Sequence, residues 1–184
     1  MSDQLWWYVA RSGGIVAWAM LTFSVLWGLA LSTKVFGKRP RPSWVLDLHR
    51  FAGGAAVVFT GVHITALVAD SYLYFGPTEI LVPLASSYRP AAVAWGVIAV
   101  YLLVAVELTS LLRSRLPHKT WRTLHYLSFP LFVFATAHGV TAGTDREAVL
   151  LQVGLLTGSV LVGALTALRL VPAENPAGSQ RILR

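Results

Sequence analysis

The sequence predicts an all-α integral membrane protein, a bundle of about five transmembrane helices, and three observations carry that prediction. Apolar residues make up 55% of the 184-residue chain and charged residues only 12%, about half the charge of an average soluble domain. The charges are also clustered, leaving uncharged stretches close to the roughly 20 residues a helix needs to cross a bilayer. The flanking basic residues, finally, fall mostly on alternate connections, the pattern left when Lys and Arg are retained on the cytoplasmic side.

Each span follows from a charge gap. The first lies between Arg11 and Lys34. The second lies between Arg50 and Asp70, its helix starting earlier, near Ser43, after Pro40 and Pro42. The third lies between Arg89 and Arg113 and is interrupted only by Glu107. The fourth runs from Arg122 to Asp145 and the fifth from Glu147 to Arg169. The connection from Ser71 to Pro90, with Gly76, Pro77 and Pro83, is too broken for a sixth span. Its stretch Ile80 to Ala85 reads as an interfacial segment with a short turn of helix.

Charge then orients the bundle. Lys34, Lys38, Arg39, Arg41 and Arg50 lie between spans one and two, and Arg113, Arg115, Lys119 and Arg122 between three and four. Arg169, Arg181 and Arg184 follow span five, so one side holds 12 of the 15 basic residues. The N-terminus is therefore expected outside and the C-terminus in the cytoplasm of a multi-pass protein of the cell membrane. Residues 1–170 read as one membrane domain and 171–184, with Pro172, Pro176 and Gly178, as a disordered cytoplasmic tail. The opening stretch, Met1 to Arg11, lacks a small-residue cleavage pattern, so no cleavable signal is expected.

Composition also excludes chemistry. Without Cys, the chain forms no disulfide, no thiolate-held iron–sulfur cluster or zinc site and no c-type heme attachment. The net charge of +7 belongs to membrane flanks rather than to a nucleic-acid surface, and lipid is the surrounding partner.

Four of the five His fall in spans two and four: His49 and His63, His125 and His138. Ionisable side chains at membrane depth are costly and mark function. At about 1.5 Å rise per residue the members of each pair stand roughly 20 Å apart along their helices. Spans two and four run in the same direction, so His49 shares a level with His125, and His63 with His138. Two facing imidazoles at each level are suited to clamp the iron of a b-type heme, giving two hemes stacked across the bilayer. One tension is visible: at about 100° per residue, 13 positions leave His125 and His138 roughly 140° apart on a regular helix, with Pro130 between them to shift the phase.

The neighbours fit a heme site. Gly53, Gly54, Gly61 and Gly139 remove bulk where a porphyrin approaches, and Arg50 and Arg122 are placed to meet inner propionates. Arg89, Tyr88 and Arg146 are the outer candidates. Trp44 and Trp121 read as interface anchors, Glu107 as an ion-pair partner of Arg113 or Arg122, and His118 as a solvated loop residue.

Several segments resemble the ferric reductase-like transmembrane domain family, which includes the membrane portions of ferric reductases and NADPH oxidases and the heme-binding membrane subunit of the bacterial methionine sulfoxide reductase system. These are Leu48-His49-Arg50-Phe-Ala-Gly53 with His63 fourteen positions on, Leu108-Thr109-Ser110, and Trp121-Arg122-x-Leu124-His125 with His138 thirteen on. Tyr88-Arg89-Pro90 is similar to the bacterial subunit. The resemblance spans roughly Trp6 to Leu170 and implies bis-His hemes at His49, His63, His125 and His138 that pass electrons through the membrane. It also implies a sixth span, the first, and an appended flavin and nicotinamide domain, and neither is expected in these 184 residues. Electrons are then expected from a separate flavin-dependent reductase, a bound FMN or FAD or a quinone pool on the cytoplasmic side, and pass to an acceptor not identified by the sequence. Two other readings share the His pattern: a quinol-oxidising cytochrome b subunit, and a His-lined metal or proton transporter.

Overall fold

The computed structural model describes residues 3–33, 43–71, 74–144 and 148–170, and within them the chain is a helical bundle without strands. The expected tail, 171–184, and Arg146 lie outside the described residues. The helices are α1 (Asp3–Ser32), α2 (Ser43–Ala69), α3 (Pro77–Leu81), α4 (Pro90–Leu111), α5 (His118–His125), α6 (Ser128–Ala142) and α7 (Val149–Leu170), with a 3-10 turn at Arg113–Arg115.

Four helices, α1, α2, α4 and α7, are long and apolar enough to cross a membrane. They match spans one, two, three and five, and α2 begins at Ser43 as its sequence predicts. The fourth span differs from expectation. It is two pieces, α5 and α6, joined through Tyr126 and Leu127, and neither piece alone has the length of a span. Pro130 is the cause. It has no N–H to donate to the Tyr126 carbonyl and its ring crowds that carbonyl. Phe129 N donates there instead, at 3.1 Å, and Leu127 N donates to Leu124 O at 3.0 Å. Both are the tight i to i+3 bonds of a 3-10 turn.

The core is small and central. Leu21, Val25 and Leu29 of α1 meet Ala56 of α2, Ala99 and Leu103 of α4, Leu131 and Phe132 of α6, and Val162 of α7. Around it the surface stays apolar, with Val58, Leu156 and Leu168 among the exposed large side chains. Such a girdle is stable in lipid and would aggregate in water. Small residues allow the close approaches: a Cβ on Gly158 of α7 would stand 3.0 Å from Trp18 and Thr22 of α1. Trp18 Nε1 donates to Thr136 Oγ1 at 2.9 Å, tying α1 to α6.

The connection after α2 forms its short helix earlier than expected, at Pro77–Leu81 rather than within Ile80 to Ala85. Pro77 occupies the first turn and the Glu79 carboxylate accepts from Gly76 N at 2.9 Å. Tyr101 donates its hydroxyl proton to the Leu81 carbonyl, holding the loop on α4.

The helices that carry the imidazoles are arranged as two pairs. α1 packs along α2, and α4 packs along α6 and the start of the broken span, whereas α2 and α4 meet only sparsely. The space between the pairs is where the His side chains converge.

Candidate functional site

The structure brings the four membrane His residues together as the sequence pairs them. The rings of His49 and His125 have centroids 6.0 Å apart and planes at 77°. The rings of His63 and His138 have centroids 6.2 Å apart and planes at 73°. We call these the first and second tiers. Two imidazoles bound to opposite sides of one first-row metal by bonds of about 2.0 Å have centroids about 6 Å apart.

Each ring is held from behind by the companion helix of its pair. His63 Nδ1–H donates to Ala10 O of α1 at 2.6 Å, and His138 Nδ1–H donates to Ala92 O of α4 at 2.9 Å. His49 Nδ1–H donates to Ser24 O of α1 at 3.0 Å, with Ser24 Oγ 3.2 Å away. A carbonyl only accepts, so in these three the Nδ1 carries the proton. The lone pair is left on Nε2, the tautomer that ligates a metal. His125 differs: its Nδ1 has the Ser110 hydroxyl of α4 at 3.4 Å.

Glycines seat the rings, though not those singled out from sequence. A Cβ on Gly14 would stand 3.0 Å from His63 Nδ1, one on Gly28 3.2 Å from His49 Cε1, and one on Gly96 2.8 Å from the His138 ring. Gly54, Gly61 and Gly139 have no neighbour within 4 Å of such an atom, and Gly53 faces the Glu107 carboxyl at 2.7 Å. The signal for the correct glycines lay in the spacing: Gly14 and Gly28 are fourteen apart, as are His49 and His63, and α1 and α2 are antiparallel. Ala10, Ala92 and Ser24 act through backbone carbonyls and leave no trace in residue type.

The phase mismatch of the fourth span is eased at its break. A 3-10 residue advances about 120° where an α-helical one advances about 100°, so the break between His125 and His138 shifts the phase by tens of degrees in the needed direction. Both rings reach partners on one helix, α2. In Pro130→Ala, α5 is expected to run continuously into α6 and turn His125 off its tier. Amide hydrogen exchange at Tyr126 and Leu127 should slow as the break closes into regular helix.

A cavity of about 280 Å³ opens at the second tier, lined by His63, His138, Gly14, Gly96, Ala56 and Leu103 among others. Its wall is almost wholly apolar, with the two imidazoles as convergent polar groups, the general character of a ligand site.

Other expectations are corrected. Trp121 is more than an anchor: its ring stacks on His125 at 5.2 Å and 25°, and the Arg113 guanidinium lies over it, 4.6 Å from its centroid. Trp44 is exposed, tilted against Trp27. Glu107 forms no ion pair with Arg113 or Arg122; the approach to Gly53 turns it toward α2. His118 opens α5 rather than lying in a loop. Tyr88 and Arg89 donate to the last carbonyls of α6, Ala142 O at 3.4 Å and Thr141 O at 2.9 Å, capping the helix that bears His138. Arg50 is exposed beside Asp47 at 3.7 Å, and Arg122 donates from Nε to Tyr126 Oη at 2.9 Å, one residue from His125.

Among the described residues no three His, Asp or Glu side chains gather as a metal site. The imidazoles come strictly in twos. A bare first-row ion takes three or four protein ligands, whereas a metal already held in a macrocycle needs only two.

A sequence model described as ferric reductase like transmembrane component matches residues 13–136. No curated protein and no solved structure matches the chain.

Proposed function

Because the chain belongs to the ferric reductase like transmembrane component family, we propose that it carries electrons across a membrane through two b-type hemes. His49 and His125 clamp one heme and His63 and His138 the other. The observation that carries this reading is the spacing of the two ring pairs, 6.0 and 6.2 Å between centroids. The fixed Nδ1 protons and the apolar cavity support it further.

When bound, the hemes supply one-electron chemistry; the chain supplies position, tautomer and a dry path. The backbone carbonyls of Ala10, Ser24 and Ala92 hold the imidazoles so that Nε2 faces inward, and they raise ligand basicity. Fourteen residues along α2 separate the tiers by about 21 Å, so an electron entering near one membrane face leaves near the other. Arg50 and Arg122 stand at the first-tier end, where they would be the cationic partners for heme propionates. Arg113, Arg115, Lys119 and Arg169 share that end, which makes it the cytoplasmic one by charge.

Donor and acceptor are separate partners in this reading. A flavin-dependent reductase, a flavin or a quinol delivers electrons at the first tier, and an acceptor takes them beyond the second. The transporter reading is weaker because a relay needs His side chains free to change tautomer, and three of the four have Nδ1–H committed to carbonyls.

The experiment is transmembrane electron transfer in vesicles. Protein reconstituted with an impermeant reductant on one side should reduce an impermeant ferric chelate on the other. Rates should fall to the protein-free level in His49→Ala and His63→Ala. Metal or proton flux without electron transfer would overturn the proposal.

A further inference from the structure

Three of the imidazoles share one mode of attachment and the fourth has none of its parts. His49, His63 and His138 each donate Nδ1–H to a backbone carbonyl, at 3.0, 2.6 and 2.9 Å. Each also sits against a glycine that leaves room for the ring and no more. Each belongs to a helix with buried residues of its own, Ala52 and Ala56 in α2, Leu131 and Phe132 in α6. His125 has no carbonyl behind it and no glycine seat among the described residues. Its hydrogen-bond partner is a hydroxyl at 3.4 Å, beyond the usual range for an N–H donor.

Its helix, α5, packs along α4 yet buries none of its own eight residues. It is bounded before by the extended backbone of Pro117 (φ −55°, ψ 137°) and after by the 3-10 break at Tyr126 and Leu127. Besides Ser110, the ring is held by Trp121 of the same helix, which stacks on it and has the Arg113 guanidinium over its own ring. A short segment with non-helical joints at both ends can turn as a body and take His125 with it.

We propose that His125 is a releasable ligand, so that the first tier doubles as a binding site for a small neutral π-acceptor ligand of ferrous heme, of the carbon monoxide class. This rests on the two-heme reading. Release leaves His49, anchored to Ser24 and Gly28, as the remaining axial ligand, and the freed position faces α5. The second tier, clamped on both sides, stays closed to such ligands. Ser110 is the positioning residue: its hydroxyl is the hydrogen-bonding hold on the His125 ring, and it sits on α4, which does not move with α5.

The test is carbon monoxide binding to the purified full chain after reduction with dithionite. About half the heme absorbance should convert to the adduct, at a rate that stops rising with carbon monoxide concentration because ligand release limits it. Ser110→Ala should raise that limiting rate several-fold, Ser110→Thr should keep it near the starting value, and Tyr101→Phe, remote from both tiers, should leave it unchanged. No conversion, full conversion in a single phase, or a rate indifferent to Ser110→Ala would overturn the proposal. A second measurement needs no heme. On treatment with diethyl pyrocarbonate, mapped by mass spectrometry, His125 should be carbethoxylated several-fold faster than the other three tier His residues, and equal rates would overturn the proposal. A colourless protein that still shows fast His125 labelling would instead sink the two-heme reading and leave the ring's mobility standing.

Discussion

In His63→Ala and in His138→Ala, heme content is expected to fall from the proposed two per chain to about one, with the remaining heme keeping a low-spin spectrum. Each substitution removes one imidazole from the second tier and frees the carbonyl behind it, Ala10 O or Ala92 O. That carbonyl keeps the helical N–H of the residue four positions on as its donor, so the loss is of one net hydrogen bond, about 0.5–1.5 kcal/mol, and a modest drop in thermal stability is expected. His49 and His125 are untouched, roughly 20 Å away along the helices. Loss of both hemes in either single variant, with the protein still folded, would show that the tiers are not independent. Retention of both would show that His63 and His138 do not share a metal.

Gly96→Ala is expected to act almost as strongly without removing a ligand. The added methyl would stand 2.8 Å from the His138 ring, below any normal contact. The ring cannot retreat freely, because its Nδ1–H is bonded to Ala92 O one turn earlier on the same helix. Overpacking of this kind costs about 1–3 kcal/mol, and the way out is to swing His138 off its tier. The second heme should therefore be lost or greatly weakened, again leaving about one per chain. Gly61→Ala is the control: nothing lies within 4 Å of its added methyl, and heme content should not change. An equal loss in both variants would mean that helix distortion, rather than the seat of the ring, is responsible.

These two positions also mark how far the arrangement was legible in the sequence, which reached the pairing of the His63 and His138 rings and stopped at Gly96. His63 and His138 were legible because a polar ring in an apolar span has few innocent explanations, and because matching spacings put them at one depth. Gly96 was not legible from its own neighbourhood, since a glycine among Ala and Val on α4 resembles ordinary close packing. Its role depends on which residue of α6 crosses it, which is tertiary information. The same holds for Ala10 and Ala92, where the backbone carbonyl works and the side chain is incidental.

The helix count shows a different limit. Charge gaps give the length of an apolar stretch, not the continuity of its helix, so span four read as one element. Pro130 signalled a disturbance and the 13-residue spacing showed that one was required. The two together pointed to a disturbance between His125 and His138; the structure puts it at Tyr126 and Leu127, four and three residues before the proline. Glu107 failed for a related reason. Its expected partners were chosen along its own helix end, whereas Gly53 offers space for its carboxyl across the bundle on α2.

The central claim is that each imidazole pair grips one heme. Heme extracted from the purified full chain, expressed with ample precursor and quantified against protein, tests it most directly. The account predicts about two non-covalent b-type hemes per chain with low-spin spectra in both oxidation states. A folded, helical protein that purifies without heme would contradict it.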